Sequence, residues 1–568
     1  MARRAFAMKA PRASKPWRAR VQVALAALAL VLANAPKPLV IDDPVYVALA
    51  HQIRVDPSDP YGFEMLWNEV PEPAFQILAP PLLPYWIAGS MALFGDQPVR
   101  WKLALLPFAL ALAASLRGLL ARFAPGLETP LLWMAVCAPP LLPALNLMLD
   151  VPSLALALSG LLLFLRACER ESLGAAVLAG IVAGLAMQTK YTAATSLGAM
   201  LAWGLLAGRM RLALAAVAVA ASVFAGWEGL MALRYGRSHL AQGLLGMGPF
   251  QYPGSRAEAA LGWSVGFVSL LGALAPAVGV LGLAALGARE RLVTGVALAV
   301  AGCFAAIALL PSPGLLPTLE PFRLDDPPPE LLLFASLGLG VAASVGAAAA
   351  RRLRSAPARE DLFLAAWLAI EIAGFAILSP YPAARRVLGV STVALLLCGR
   401  AARCTLGAER ARRAVRAPLA LGLALAALYA ASDLADALAG REAVRVAERA
   451  IRSQDGPGAG TVWYVGHWGF QFYAERAGMK PVAPGISQLR RGDWLVVPAG
   501  VHQQSMRAVG VSPPLARTRV RSASPWSTQP WLYAGAFPIR PRTRALVRVT
   551  VHRVLEDFVP EPPAAPHR

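Results

Sequence analysis

The sequence predicts an α-helical polytopic membrane protein of about thirteen spans, with a small α/β domain at its C-terminal end. Three observations carry this prediction. Of the 568 residues 57% are hydrophobic and only 15% charged, with a mean hydropathy of +0.53, too few charges to cover a soluble protein of this size. Apolar runs of membrane-crossing length recur from Val21 to Leu438. From residue 440 the pattern changes to short alternating strands and one helix, followed by a Pro-rich tail.

The first element is a basic leader, "MARRAFAMKAPRASKPWRAR", with seven basic residues and no acid, followed by an apolar run to Leu32. "ANA" at 33–35 resembles a signal-peptide cleavage site. Pro36 follows at once and many further spans come after, so a retained first helix with a cytoplasmic N-terminus is expected. The next segment, Ile41 to Pro80, holds seven acids against one arginine and belongs on the outer side. Short basic loops at 166–172, 208–211, 287–292, 351–360 and 400–416 are expected on the cytoplasmic side. The stretch at 80–95 is too short to span after its prolines. Treating it as interfacial or re-entrant keeps every later basic loop inside.

The expected spans are then 21–40, 101–123, 130–148, 152–167, 173–189, 193–208, 211–234, 260–287, 291–311, 329–350, 361–379, 384–400 and 416–438. Beyond residue 440, "TVWYVG", "DWLVVP" and "ALVRVTVHRV" read as strands and "GFQFYAERAG" as a helix ended by Gly478. The net charge of +21 lies mainly in the short loops between spans, which makes it a topology signal and excludes nucleic acid as a partner. Five cysteines, Cys137, Cys168, Cys303, Cys398 and Cys404, show no metal-ligand spacing.

Candidate chemistry gathers where spans emerge on the outer side. Asp42 and Asp43 follow the first span, and Asp150 follows the third within a nearly unbroken apolar stretch from Leu141 to Leu165, where a charge is costly. Lys190 ends the fifth span at the same level, and Arg385 and Arg386 open the twelfth. These cations break the positive-inside trend. They suit a phosphate or pyrophosphate, or else simply pair with the outer carboxylates. Glu371 lies mid-span, where a hydrogen-bonded structural role is favoured over a proton relay. Glu228, His239 and Arg256 are weaker candidates, and His467 and Trp468 fit a strand-to-helix turn better than an acceptor site.

Five motifs resemble the GT-C membrane glycosyltransferases, namely the dolichyl-phosphate-mannose protein mannosyltransferases and the bacterial aminoarabinose lipid A transferases. They are "DDPVY", "APPLLPYWIAGSMALFG", "MLDVPSLAL", "GLAMQTKY" and "YPAARRVL". The resemblance covers roughly residues 20–400. It implies that Asp42 is the catalytic carboxylate, that Asp150 is the second-loop aspartate, and that the donor is a polyprenyl-phosphate-linked sugar. The chain departs from the aminoarabinose enzymes at Ala79, where they carry a lysine, which argues against an anionic acceptor. Asp43 stands where glutamate is commoner.

Charge, composition and the resemblance together predict a basic cytoplasmic N-terminus (1–20), a multi-span glycosyltransferase domain (21–439) with a catalytic outer loop (41–100), and an extracytoplasmic mixed α/β domain (440–568). The expected reaction is sugar transfer from a polyprenyl-phosphate carrier to an envelope acceptor, with inversion, at the membrane of a bacterium. Asp42, Asp43 and Asp150 form the expected catalytic set. Asp42 acts as base or orients the nucleophile, and Asp150 positions acceptor, donor hydroxyls or a metal. Lys190, Arg385, Arg386 and Tyr46 form the set for substrate and lipid phosphate. A divalent metal is possible, but nothing in the sequence demands one, and no metal ligands are assigned. The alternatives are a transporter or flippase of lipid-linked sugars, and an inactive scaffold.

Overall fold

The computed structural model describes residues 16–561 except 78, 247–255, 288–290, 292–294, 296–328, 355–356, 380, 456–459, 500–503, 505–509 and 543–546. All but two residues of the expected span at 291–311 lie outside the described residues, as do the first fifteen residues and Cys303.

Helix α1 (Pro16–Asn34) stops before Pro36 and Pro38, which cannot continue the backbone ladder. A short helix α2 (Asp43–Val55), a two-stranded hairpin β1 (Glu64–Leu66) with β2 (Pro71–Pro73), and α3 (Leu82–Phe94) follow. Helices α4 (Pro98–Leu103) and α5 (Leu106–Phe123) form one apolar run of 26 residues. Next come α6 (Glu128–Val136), α7 (Asp150–Arg170), α8 (Leu173–Thr189), α9 (Thr195–Ala207), α10 (Met210–Tyr235) and α11 (His239–Gly246). Helices α12 (Arg256–Leu274) and α13 (Pro276–Ala284) meet at a 75° bend. The bundle closes with α14 (Pro329–Arg354), α15 (Arg359–Leu378), α16 (Leu388–Ala414) and α17 (Arg416–Asp455).

Eight of these helices are long and apolar enough to cross a membrane, nine if the bent pair is one span, which makes the chain an integral membrane protein. Thirteen were expected; the one at 291–311 lies almost wholly outside the described residues, and three other expected segments fall short of that length. The segment at 130–148 is no spanning helix: α6 ends at Val136, and Pro139, Pro140 and Pro143 hold the chain in turns up to Asp150. The segments at 173–189 and 193–208 are helices of 17 and 13 residues, short of the ~20 that a straight span needs. The stretch at 80–95 is the 13-residue α3, the short element that its length predicts.

Small residues let the helices pack closely. A Cβ on Gly338 of α14 would lie 1.7 Å from the Val268 carbonyl oxygen of α12. Ion pairs gather the basic loops at one end of the bundle: Arg122–Glu169, Arg209–Glu171, and Arg352 and Arg400 on Asp361. The twenty-one residues of α7 then carry the chain ~30 Å between that end and Asp150.

Helix α17 does not break at Gly440, where the sequence suggests a boundary, but runs unbroken for 40 residues. Its second half lays Ala443, Val444, Ala447 and Ile451 against a sheet. That sheet contains β3 (Val462–Tyr464), β4 (Lys480–Pro481), β5 (Trp494–Ala499), β6 (Ala516–Val520) and β9 (Val547–Arg553), in the order β4–β3–β5–β9–β6. Strand β3 is parallel to β4 and β5, and β9 is antiparallel to β5 and β6. Helix α18 (Trp468–Arg476) follows β3, and Gly478 behind it takes a left-handed φ of 80°. Between β6 and β9 a small ribbon, β7 (Trp526–Ser527) with β8 (Arg540–Pro541), carries the one-turn helix α19 (Trp531–Ala534).

Candidate active site

Asp42 stands eight residues beyond α1, at the N-cap of α2, rather than on the end of the first span. Pro44 in the first turn of α2 presets the helical φ. Ile41, just before, has a φ of 43°, an uncommon and strained conformation for a β-branched residue. The Asp42 carboxylate does not cap its own helix and instead pairs with Arg385. Arg385 and Arg386 lie in a one-turn 3₁₀ segment, Ala384–Arg386, that enters α16.

Asp150 opens α7, where the positive end of the helix favours a carboxylate. Lys190 follows the last residue of α8 in extended backbone and pairs with Asp150. Arg385 also approaches Asp150, at 3.8 Å, and donates to the Tyr381 hydroxyl at 2.8 Å. The guanidinium of Arg386 lies 4.2 Å above the Tyr381 ring, and among the described residues Arg386 has no ion pair. Three cations therefore face two carboxylates, which leaves one positive charge in excess. Of the two carboxylates, Asp42 is the more reachable, 16% exposed against 4% for Asp150.

A groove open to its surroundings runs beside these charges. Asp150, Lys190, Arg385 and Arg386 line its head, with Ser153, Thr192, Thr195 and Ser196. Along α7 it continues past Leu154 and Leu158 to Leu161, ~16 Å from Asp150 at the helical rise, with Trp367 and Phe375 of α15 opposite. Glu371 lines it too, and accepts from Trp367 at 2.9 Å and Thr195 at 3.2 Å. The charged head thus leads into a groove of mixed lining, with leucines and aromatic rings beside Glu371 and several hydroxyls.

Five of the seven residues singled out from the sequence thus share one cluster: Asp42, Asp150, Lys190, Arg385 and Arg386. Tyr46, one turn into α2, is buried beside them. Burial drives its phenol well above the usual range, the Asp42 carboxylate adds to the shift, and Arg385 opposes it. Asp43 stands apart and does not line the groove. It is fully buried, accepts from the Val40 amide at 3.0 Å and lies 3.9 Å from Lys102. Burial pushes its carboxyl up to about 6, against the pull of Lys102 and the Val40 N–H.

The weaker candidates brace the surroundings. Tyr191 bonds Glu228 at 2.9 Å and His239 at 2.8 Å, and His239 reaches the Ile77 carbonyl at 2.9 Å. His467 is buried at the turn from β3 into α18, and the Arg256 side chain lies outside the described residues. Residues not singled out from the sequence are Tyr381, Lys37, Lys102, Asn146, Asp433, Asp436 and Tyr533. Lys102, Asp433 and Asp436 had a signal, since each is a charge inside an apolar run.

A divalent cation does not suit the donor set. Both carboxylates are already paired with cations, a third cation adjoins them, and no group of three or more His, Cys, Asp or Glu among the described residues could hold a metal.

Residues 79–227 match the family model for dolichyl-phosphate-mannose-protein mannosyltransferase. That stretch runs from the end of the first long loop through α10, and includes Asp150 and Lys190 but neither Asp42 nor the arginines. Solved structures similar to the chain include ArnT from Cupriavidus metallidurans bound to undecaprenyl phosphate, at 16% identity and a TM-score of 0.41, over 95% of this chain and 98% of that one. The same protein in the apo state matches at 15% identity and 0.41, over 85% and 93%. The Archaeoglobus fulgidus oligosaccharyltransferase, in complex with Zn and sulfate, matches at 15% identity and 0.45, over 82% of this chain. The chain spans 62% of that enzyme's length. No curated protein sequence matches the chain.

Proposed function

We propose that the protein is a GT-C-type membrane glycosyltransferase that moves a sugar from a polyprenyl-phosphate carrier to an acceptor hydroxyl on the extracytoplasmic face. The observation that carries this reading is the set of Asp150, Lys190, Arg385 and Arg386 at the head of a groove that runs down between apolar helices, with Asp42 paired to Arg385 beside it. The match of residues 79–227 to the mannosyltransferase family model supports it.

In this reading the carrier phosphate sits against Arg386 and Lys190, and the prenyl chain follows α7 and α15. Asp42, the reachable carboxylate, takes the proton of the acceptor hydroxyl as its oxygen bonds the anomeric carbon. The bond from that carbon to the phosphate oxygen breaks, and its electron pair leaves with the phosphate, where the excess positive charge stabilises it. One displacement inverts the anomeric centre. Asp150 holds Lys190 and Arg385 in place, and Asp43 positions the backbone ahead of Asp42 rather than touching substrate. The acceptor, the sugar and the carrier length are set by surfaces that the cluster does not define.

The test is mass spectrometry of the lipids after purified protein is incubated with a panel of polyprenyl-phosphate sugars and an envelope extract. Free polyprenyl phosphate together with a glycosylated acceptor supports transfer. Donor lipid recovered intact but moved between liposome leaflets would instead establish a transporter.

A further inference from the structure

The two loops that deliver Asp42 and Asp150 to the cluster meet directly where Lys37 donates to the Pro143 carbonyl, and a residue from the C-terminal part of the chain bonds both of them. Tyr533, in α19, donates its hydroxyl proton to Asp433 Oδ2 at 2.6 Å. The Tyr533 hydroxyl oxygen itself accepts from Asn146 Nδ2 at 3.0 Å and from Lys37 Nζ at 3.4 Å. Asn146 lies four residues before Asp150, and Lys37 five before Asp42. Lys37 in turn pairs with Asp433 at 2.7 Å and donates to the Pro143 carbonyl at 2.5 Å. All four side chains are buried, and one phenol oxygen donates once and accepts twice, so its bonding capacity is filled.

The position matters because the loop before Asp42 is strained at Ile41. A strained conformation persists only where its surroundings over-determine it. Here Lys102 donates to the Lys37 carbonyl at 2.7 Å, and Tyr473 of α18 accepts from the Leu39 amide at 3.0 Å. Helix α18 also crowds the loop, since a Cβ on Gly469 would meet the Leu39 oxygen at 2.2 Å. On the far side Asp436 fixes the ribbon that carries Tyr533, accepting from the Thr528 and Gln529 amides at 2.9 and 3.2 Å.

We infer that Tyr533 is a positioning residue: its hydroxyl, seated on Asp433, fixes the spacing between the Asp42 loop and the Asp150 loop, so that turnover depends on the C-terminal segment though no atom of it touches substrate. The inference rests on the proposed transferase reading for its kinetic consequence, but its structural consequence can be measured without activity.

The test compares Tyr533→Phe with Tyr464→Phe, whose hydroxyl bonds Glu475 inside the α/β unit and touches neither loop. Hydrogen exchange at residues 39–43 and 144–149 is read together with kcat and donor KM. For Tyr533→Phe we expect exchange at least threefold faster in both loops, kcat down about tenfold and donor KM within twofold. Tyr464→Phe should leave the loops and kcat as in the wild type. Asn146→Ala, which removes the partner from the other loop, should reproduce the Tyr533→Phe result and serves if that variant does not fold. Unchanged exchange in either loop, or a kcat loss matched by Tyr464→Phe, overturns the inference. If the wild type transfers no sugar, the transferase reading fails, and the exchange comparison alone decides this one.

Discussion

Arg386 is the cation with charge to spare. Its guanidinium stacks on Tyr381 while Lys190 and Arg385 are engaged by aspartates. Arg386→Gln should therefore raise the donor KM about 10- to 100-fold, the range of a lost hydrogen bond to a charged group, and leave the melting temperature nearly unchanged. Steady-state kinetics beside a thermal melt checks both. Asp43 should behave in the opposite way. Because burial raises its carboxyl from 3.8 to about 6, the folded state holds this proton more tightly than the unfolded chain. That contribution to stability is fully present below 3.8 and lost as pH rises through about 6. Asp43→Asn keeps an acceptor for the Val40 amide but does not titrate. The melting temperature of the variant should therefore gain on the wild type as the buffer moves from about pH 4 to about pH 7. At this scale the cluster was legible because its members break a charge rule: carboxylates and cations stand where spans should meet only lipid or basic loops. Tyr381 was not singled out, though it lies in a quoted motif, because a tyrosine beside a membrane breaks no rule. Tyr533 and Asn146 were illegible, since their meaning depends on partners hundreds of residues away.

Among the elements, those with long uninterrupted apolar runs agreed with the sequence, and those built around prolines did not. Pro139, Pro140 and Pro143 turn the expected span at 130–148 into a nine-residue helix and a set of turns. Those turns carry Asn146 and lead to Asp150, so the broken element is part of how the site is built. Hydropathy counts apolar residues and is blind to the missing amide of proline. Helix contacts give a separable prediction. Gly338→Leu should force α14 away from α12 and destabilise the protein by ~1–3 kcal/mol or more, the cost of overpacking, whereas Gly346→Leu, on the same helix with nothing within 4 Å, should cost little. Urea or thermal unfolding of the two variants in detergent decides it.

For the whole molecule, the basic loops gather at one end of the bundle and the charged cluster lies at the other, with helices α18 and α19 of the C-terminal unit packed near it. Positive loops on the cytoplasmic side would place the cluster outside, on the face where the proposed transfer occurs. Cys404, exposed near the basic end, and a cysteine placed at the exposed Asn68 should then react with an impermeant maleimide from opposite sides of the membrane in a Cys303→Ser background. Labelling of both from one side would refute this topology. The extent of the C-terminal unit was only partly visible in the sequence: β3, β5, β9 and the helix α18 were, but neither β6 nor α17 running on past Gly440 was, the latter because that helix is amphipathic beyond the membrane and carries no break. The central claim is that Asp42 activates an acceptor against a polyprenyl-phosphate sugar. It is tested most directly by following radiolabel from that lipid to an acceptor with wild type beside Asp42→Asn. Transfer by the wild type, reduced roughly 10²–10⁴-fold in the variant at equal donor binding, is the predicted result. Equal transfer by both proteins, or transfer by neither at equal lipid binding, would contradict it.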